Sequence, residues 1–455
     1  MRSFSARRLR LTCALSACAA AALVAPGVAS AGFTTGHCEG PSIEGNGATF
    51  QGEAQKKWNK EFNNISLTGT CEVGKFKAAE PTVVYRETGS GPGLESWGNG
   101  AGAGKGDFGK DNAYVGTDEP PNKAQKQAIE EEGTGGKLLT IPVVQGAIAV
   151  IFHLPKGCAV KDKGGGNRLL LSNATLEKIF HGTLTSWTAI KDAKEKVKGK
   201  KGACNVPIKR VVRKEGSGTT SIFKKYLNLE NSNEFEVEGV GSTTWKKLAE
   251  SNVNTKWPEE KADPVTPIAK GGGLTAYVAT TESTIGYVDL AHARSNGGFT
   301  AGSPEVQWAK IENGTFKKGK KTLPTFGDPS NNELSPTKAQ SNCEEELYTD
   351  GKNKFPPAST EAVWNEVTTS LTEPHYTICG FSYDLATTQF KGYGEVSGKP
   401  ATDETARTAF DYLSFELGKG GNEVLIGSDY PGLPENAEGK VKKIAEEGLA
   451  KISFS

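Results

Sequence analysis

Residues 207–227 read PIKRVVRKEGSGTTSIFKKYL, and this stretch decides the fold. The apolar residues of 208–212 suit a buried strand, residues 216–220 a tight turn, and the apolar residues of 222–227 one face of a helix. The first N–H groups of a helix have no partners within it, so this pattern predicts a cradle for an anion. Because Gly-Ser-Gly-Thr is also an ordinary turn sequence, the stretch alone leaves a plain turn open.

The same strand, turn and helix pattern occurs twice nearer the N-terminus. Residues 41–51 (PSIEGNGATFQ) predict a strand and a glycine turn before an apolar helical stripe over 54–62, and residues 82–85 (TVVY) lead into the turn ETGSGPGL at 87–94. Three such units indicate an α/β architecture, in which ligands bind beyond the carboxyl ends of parallel strands. The pattern leaves open whether the three turns converge or are ordinary connections.

The first 31 residues predict a secretory signal peptide. Four arginines precede an apolar run at 11–24 and a small-residue cleavage site at 29–31. Removal takes four positive charges and no acidic residue, so the formal net charge falls from +1 to −3, which argues against a nucleic-acid-binding surface. Residues 15–18 (LSAC) also fit a lipoprotein cleavage box, which leaves a lipid anchor at Cys18 open. No later segment reaches the ~18 apolar residues of a transmembrane helix.

Six cysteines remain after cleavage at residue 31, and an even number in an exported chain favours disulfides. Pairing of sequence neighbours is the hypothesis, among several possible connectivities. It predicts Cys38–Cys71, Cys158–Cys204 and Cys343–Cys379. The five histidines are scattered and no Cys-x-x-Cys pair occurs, so we expect no metal and no cofactor.

The rest of the chain carries three further signals. Residues 138–152 are apolar and rich in β-branched side chains, with breaks at Pro142 and Gly146, which predicts buried strands that cross between lobes. Residues 271–273 start a helix before a strand at 285–289. The polar stretch at about 297–374 predicts a loop-rich insertion.

Seven short motifs, in order along the chain, resemble the substrate-binding receptors of phosphate ABC importers. Each is loose, but the ordered set is specific. The motifs are GNGATF (45–50) with Trp58, GSGPG (89–93), VGTDEP (115–120), IFHGTLTSW (179–187), RKEGSGT (213–219), IGYV (285–288) and DYPGLP (429–434).

This resemblance implies a two-lobed periplasmic-binding-protein-like fold (type II), with a ligand cleft between lobes joined by crossover strands. Lobe I would comprise residues 32–147 and 291–455, including the insertion at about 297–374, and lobe II residues 148–290. The function implied is binding of inorganic phosphate outside the cytoplasm and delivery to an ABC-type membrane permease, by a monomer that is not an enzyme.

The resemblance also implies a set of phosphate ligands. They are Thr49, Phe50, Ser90, Asp118, Arg213, Ser217, Gly218 and Thr219. Glu215 stands where the family usually has an Asp that orients the arginine, and Gln51 where it usually has a proline. Asp111 is a rival for Asp118, and a helix N-cap is the structural alternative for Asp118 itself.

Asp118 is the informative member of this set, because a carboxylate beside an anion repels it unless the ligand carries a proton. Phosphate near neutral pH keeps a proton and sulfate does not. The alternatives are a receptor for sulfate or molybdate, a secreted phosphatase or serine hydrolase, and a phosphate scavenger or adhesin without a transporter. No Gly-x-Ser-x-Gly elbow supports the hydrolase.

Overall fold

The computed structural model describes most of the chain beyond residue 39, and the described residues belong to one compact unit, 33–455. They are 40–64, 81–97, 112–132, 136–161, 168–190, 196–199, 202–237, 240–250, 254–258, 265–299, 306–318, 320–331, 341–343, 348–350, 355–369, 375–390, 395–396, 399–400, 402–433 and 440–453. The predicted signal peptide, Cys18, the Cys38–Cys71 pair and Asp111 lie outside them.

From β1 to α8 the described elements mostly alternate between strands and helices, as the sequence predicts for an α/β chain, and eight strands then precede the last three helices. The strands are β1 (Ile43–Gly47), β2 (Val83–Glu87), β3 (Tyr114–Thr117), β4 (Leu138–His153), β5 (Cys158–Lys161), β6 (Leu170–Leu171), β7 (Lys196–Gly199), β8 (Lys209–Arg213), β9 (Phe235–Val237), β10 (Gly241–Thr243), β11 (Val265–Ile268), β12 (Thr284–Asp289), β13 (Val306–Trp308), β14 (Lys310–Lys318), β15 (Lys321–Gly327), β16 (Tyr348–Thr349), β17 (Thr368–Thr369), β18 (Cys379–Thr387), β19 (Glu395–Val396) and β20 (Lys399–Pro400). The helices are α1 (Gly52–Phe62), α2 (Ser90–Ser96), α3 (Lys123–Glu132), α4 (Asn173–His181), α5 (Gly218–Glu230), α6 (Trp245–Glu250), α7 (Gly271–Thr280), α8 (Leu290–Gly297), α9 (Asp403–Leu417), α10 (Lys419–Val424) and α11 (Lys440–Leu449).

One nine-stranded sheet organises the molecule. Its order is β11-β8-β12-β4-β18-β3-β1-β2, with β13 paired to β4. We call β2, β1, β3, β18 and the start of β4 the first half of the sheet, and the end of β4 with β12, β8 and β11 the second half. Strand β1 runs parallel to β2 and β3, and β8 runs parallel to β11 and β12. Each half therefore brings the carboxyl ends of three strands to one edge.

The strand β4 belongs to both halves. Residues 138–147 pair with β18, whereas residues 148–153 pair with β12. Every residue from Leu138 to Phe152 is buried, which explains the nearly continuous apolar sequence. The sequence predicted interrupted strands here, and the structure has a single strand of 16 residues.

A β-bulge accommodates the proline in this strand. The register between β4 and β18 shifts between Ser382 and Tyr383, opposite Pro142. Proline has no N–H for the ladder, and a bulge is a place where a sheet tolerates it. The bulge also lies beside Asp118, because Ser382 contacts that carboxyl group.

The predicted insertion is more ordered than its composition suggests. Its described parts contain β13 to β17, and the β14–β15 hairpin joins the short strand β6. Strand β13 adds to the sheet by pairing with β4. Two disulfides have the predicted pairing, Cys158–Cys204 and Cys343–Cys379, and the second ties the insertion to β18.

Hydrogen bonds anchor the first turns of α1 and α5 to the sheet. Gln51 is fully buried and its Nε2 donates to Oδ1 of Asp384 on β18 (2.8 Å). The Thr220 hydroxyl on α5 lies 2.7 Å from the Tyr287 hydroxyl on β12. These side chains fix the two helix starts relative to the strand ends. In the described part of the chain, no helix combines the length and apolar character needed to cross a bilayer.

Candidate anion-binding site

The two triplets of strand ends face each other across a narrow gap. Strands β1, β2 and β3 end at Gly47, Glu87 and Thr117, and the turn after β2 contacts the turn after β8. The N–H of Gly91 donates to the carbonyl of Gly216 at 3.1 Å. The three predicted turns therefore converge, which the sequence pattern left open.

Asp118, just after β3, lies at the centre of this gap. Its side chain is buried, with Oδ1 accepting from the Ser382 hydroxyl (2.9 Å) and Oδ2 from the Thr219 hydroxyl (3.2 Å). The N–H of Asp118 donates to Oγ of Ser90 at 3.1 Å. The alternative role as a helix cap is wrong, because Asn122 makes the reciprocal cap with Gln125 at the start of α3.

Opposing effects act on the pKa of the Asp118 carboxyl group. Burial raises its pKa, and the negative charge of Asp289 adds to the effect. Hydrogen bonds from Ser382 and Thr219 and the positive charge of Arg213 act in the opposite direction, and the resulting pKa is about 7. Asp118 therefore changes its charge near neutral pH.

Gly218, the first residue of α5, permits the close approach of the two halves. A Cβ at this position would lie 2.6 Å from Cβ of Asp118 and 2.7 Å from Oγ of Ser90. Ser217 is the N-cap, and its hydroxyl accepts from the N–H of Thr220. The positive end of the α5 dipole therefore points at the carboxyl group of Asp118 and would attract an anion bound beside it.

Arg213 supplies the cation of the site. It is 1% exposed, and both its Nε (2.8 Å) and its Nη2 donate to Oε1 of Glu215. Glu215 also accepts from the N–H of Lys270 at 3.0 Å. Glu215 thus holds the guanidinium through its Nε and Nη2 atoms.

Thr49 brings the first turn into the same neighbourhood. Its hydroxyl is buried and has no hydrogen-bond partner among the described residues, and a Cβ on Gly271 would lie 3.2 Å from it. Gly271 begins α7, so Thr49 faces a helix start from the second half of the sheet. The Thr49 hydroxyl can therefore donate to an anion at this position. The carbonyl of Phe50 accepts from the Tyr430 hydroxyl, which holds the turn in place.

Next to Thr49 lies a buried charged cluster. His292 Nδ1 bonds Asp289 (2.9 Å), and its Nε2 lies 3.3 Å from Oε2 of Glu87. Burial alone would lower the pKa of His292, but these two carboxylates outweigh it and raise the pKa to about 10. The imidazole is therefore positively charged at neutral pH.

The structure brings the residues predicted to bind phosphate to one edge of the sheet, through direct contacts or through a shared neighbour. Asp118 contacts Ser90, Thr219 and Gly218, and Glu215 and Lys270 link Arg213 to the α7 start beside Thr49. Sequence reasoning missed Ser382, because a serine in an apolar strand carries no signal. It recognised the α7 glycines as a helix start without assigning them to the site.

The chemistry of the gap is that of an oxyanion receptor. Hydroxyls, helix N-termini and a guanidinium donate, and one carboxyl group accepts or donates according to its protonation. No group of histidine, cysteine and acidic side chains among the described residues could hold a metal ion.

Comparisons with known proteins agree with this chemistry. A family model described as a PBP superfamily domain matches residues 35–350. The phosphate-binding protein PstS of Methanocaldococcus jannaschii is 25% identical over 403 residues, which cover 87% of this chain and 90% of the relative.

Two solved structures share the fold. The phosphate binding protein of Stenotrophomonas maltophilia superposes with a TM-score of 0.54 at 17% identity, covering 90% of this chain and 93% of the other. PfluDING, a high-affinity periplasmic phosphate-binding protein solved with phosphate, gives 0.53 at 17% identity, over 89% and 93%. The two-lobed α/β fold and the resemblance carried by the motifs are thereby confirmed. Since the family model spans more than half of its length, the chain belongs to the PBP superfamily, as a relative of its phosphate-binding proteins.

Proposed function

We propose that this protein binds inorganic phosphate outside the cytoplasm and delivers it to an ABC-type permease in the membrane. The relatives named above are phosphate-binding proteins. The observation that carries the proposal is Asp118, a buried carboxyl group among hydrogen-bond donors, an arrangement that suits a ligand with several acceptor oxygens and one donor. That ligand is a tetrahedral oxyanion that retains a proton.

Each proposed ligand has a physical task. The guanidinium of Arg213 supplies charge and paired hydrogen bonds, and the N–H groups of Phe50 and Gly218 donate from the turns. Four hydroxyls add further donors, and Asp118 accepts a hydrogen bond from the protonated oxygen of the bound phosphate. The hydroxyls are those of Thr49, Ser90, Ser217 and Thr219.

The geometry favours binding over hydrolysis. A serine or threonine nucleophile needs a general base within hydrogen-bond reach, most often a histidine. His292 lies beside Thr49, but it is paired with Asp289 and Glu87 and its pKa is about 10, so it cannot take a proton at neutral pH. His292 is therefore not available as the base of a nucleophile at Thr49, which supports a receptor. Asp118 does reach the Thr219 hydroxyl, and the ester-hydrolysis assay below tests whether it acts as a base.

The setting of the protein follows from its N-terminal sequence and charge. We expect an exported monomer whose partners are phosphate and a permease, with no nucleic acid, because the chain after residue 31 has a net charge of −3. A lipid anchor at Cys18 is the alternative to free secretion. Mass spectrometry of the mature N-terminus distinguishes the two.

Calorimetric titration with phosphate, arsenate, sulfate and molybdate tests the function. We expect tight phosphate binding by the wild type and a loss of at least about 100-fold in Arg213→Ala, since charged hydrogen bonds contribute ~1.5–3 kcal/mol each. Arg213→Lys keeps the charge without the fork and should bind with intermediate affinity. Arg86→Ala is the matched control, because Arg86 is exposed and its ion pair with Glu44 lies on the surface.

Two results would contradict the proposal. One is a wild-type protein that binds none of the four anions, or that prefers sulfate or molybdate to phosphate at pH 8. The other is turnover of a phosphate ester such as p-nitrophenyl phosphate that disappears in Arg213→Ala, which would indicate an enzyme.

A further inference from the structure

Glu119, the residue after Asp118, makes a second connection across the gap. Its side chain is fully buried, with Oε2 accepting from Nζ of Lys225 (2.6 Å) and Oε1 from Nδ2 of Asn254 (3.0 Å). Glu119 follows β3 in the first half of the sheet, whereas Lys225 lies on α5 in the second. The ion pair therefore joins the two halves without contributing to the anion cradle.

The insertion reaches the same ammonium group. Nζ of Lys225 also donates to the carbonyl of Asn365 at 2.6 Å. A small cavity beside this contact is lined by Asp118 and Lys225 on one side and by Tyr348 and Val367 of the insertion on the other. Three parts of the chain thus meet at one side chain, immediately behind the anion site.

The segment that carries Asn254 is itself fastened to the anion loop. The carbonyl of Thr255 accepts from the N–H of Ser217 (2.8 Å), and the carbonyl of Lys256 accepts from Nζ of Lys224 (2.8 Å). Asn254 and Thr255 are both buried. A bond from Asn254 to Glu119 therefore positions the anion loop as well as the helix.

The placement of Lys225 on α5 couples this ion pair to the ligand contacts. Gly218 and Thr219 form the first turn of that helix, two turns before Lys225, and a helix moves as a rigid element. When Lys225 reaches Glu119, the helix start is held against Asp118. If the gap opens, water solvates both charges, so the pair exists only in the closed arrangement. Burial raises the pKa of Glu119 although Lys225 acts in the opposite direction, so the closed arrangement depends on both partners being present, because either one alone would be a buried unpaired charge.

We propose that Glu119 is a positioning residue for anion binding. Together with Lys225 and Asn254 it forms a latch that holds the cleft closed, and the Asn365 carbonyl of the insertion completes this latch. The proposal rests on the proposed phosphate function. The latch does not touch the anion, so it governs how long phosphate stays bound and leaves the choice of anion to Asp118. It also gives the insertion a role, since the Asn365 carbonyl holds the ammonium in place.

Stopped-flow phosphate release from the full-length protein tests the latch. We expect Glu119→Gln to release phosphate at least about tenfold faster, with an association rate within about twofold of wild type and an unchanged ratio of phosphate to sulfate affinity. Lys126→Met is the matched control, because its partner Glu130 lies on the same helix, α3, and this pair does not cross the gap. The control should release phosphate at the wild-type rate.

A double-mutant cycle separates the latch from a general loss of packing. Glu119→Gln and Lys225→Met should accelerate release less than multiplicatively when combined, because either change removes the same interaction. Lys225→Arg, which keeps the charge, should restore slow release. Asn254→Ala removes one hydrogen bond to Glu119 and keeps the Glu119–Lys225 ion pair, and it should still accelerate release by several-fold.

The outcomes are distinguishable from those of the function. A wild type that does not bind phosphate refutes the proposed function, and the latch falls with it. If the wild type binds phosphate but Glu119→Gln releases it at the wild-type rate, the latch alone is refuted. If Glu119→Gln does not fold, the same result from Asn254→Ala refutes the latch. A changed preference between phosphate and sulfate in Glu119→Gln also overturns it, since the residue would then act on the anion directly.

Discussion

The protonation of Asp118 predicts that the affinity of the protein for sulfate depends on pH. Sulfate brings no proton, so it can bind only when Asp118 is protonated and donates. With a pKa of about 7, the protonated fraction is nearly complete at pH 6 and falls about tenfold for each pH unit above 7. An apparent dissociation constant rises as the competent fraction falls, so sulfate should bind ~100-fold more weakly at pH 9 than at pH 6.

Phosphate should behave differently, because the dianion carries the proton that an ionised Asp118 can accept. Its affinity should therefore stay within about threefold between pH 7.5 and 9, and selectivity against sulfate should grow with pH. In Asp118→Asn the sulfate dependence should disappear, since an amide does not titrate and can turn its NH₂ group to the anion. The phosphate to sulfate ratio at pH 9 should then fall by a factor on the order of 100.

Calorimetry at pH 6, 7, 8 and 9 with both anions measures this. Asp429→Asn is the matched control, because burial also raises the pKa of that carboxyl group, to about 6, but it pairs with Arg294 outside the site. The reasoning is refuted if wild-type sulfate affinity is constant between pH 7 and 9. It is equally refuted if Asp118→Asn keeps the wild-type dependence.

Three further predictions concern closure and stability. Gly218→Ala places a Cβ 2.6 Å from that of Asp118, so calorimetry should show at least about tenfold weaker phosphate binding. Unchanged affinity would mean that the two halves of the sheet need not approach so closely. Between pH 6.5 and about 10 His292 is protonated only in the folded state, so its contribution to the unfolding free energy should shrink by about 3 kcal/mol from pH 6.5 to 9. Denaturant titration of wild type and His292→Gln should therefore show a stability difference that falls by this amount, and parallel profiles would contradict it. Replacing both Cys343 and Cys379 by serine opens a loop of 36 residues, which should cost about 4 kcal/mol of unfolding free energy, and an unaltered denaturation midpoint would refute the estimate.

The local elements of this fold could be predicted because each depends on a residue pattern within a short stretch of sequence. Residues 207–227 predicted a strand, a turn and a helix, and the structure has β8 and α5 there. Alternation of apolar residues and glycine turns depends on neighbours in sequence, which a single chain displays. The convergence of the three turns could not be predicted, because it depends on the order of the strands in the sheet.

What sequence reasoning missed depends on pairing between distant segments. Strand β18 lies between β3 and β4 although more than 200 residues separate it from either, and only that placement brings Ser382 to Asp118. The partners of Glu119 are distant in the same way. Gln51, a departure from the family pattern, is explained by its bond to Asp384, a contact that no periodicity reveals.

The shared strand β4 limits how the two sides of the molecule can move. A ribbon of 16 residues that changes partner between Ala147 and Ile148 can bend or twist there, but it cannot slide without breaking two ladders. Access to the interior must then come from a small rotation about that point, in which both ladders keep their register. Phosphate entry and release would then need only this rotation, with no strand exchanged and no segment refolded.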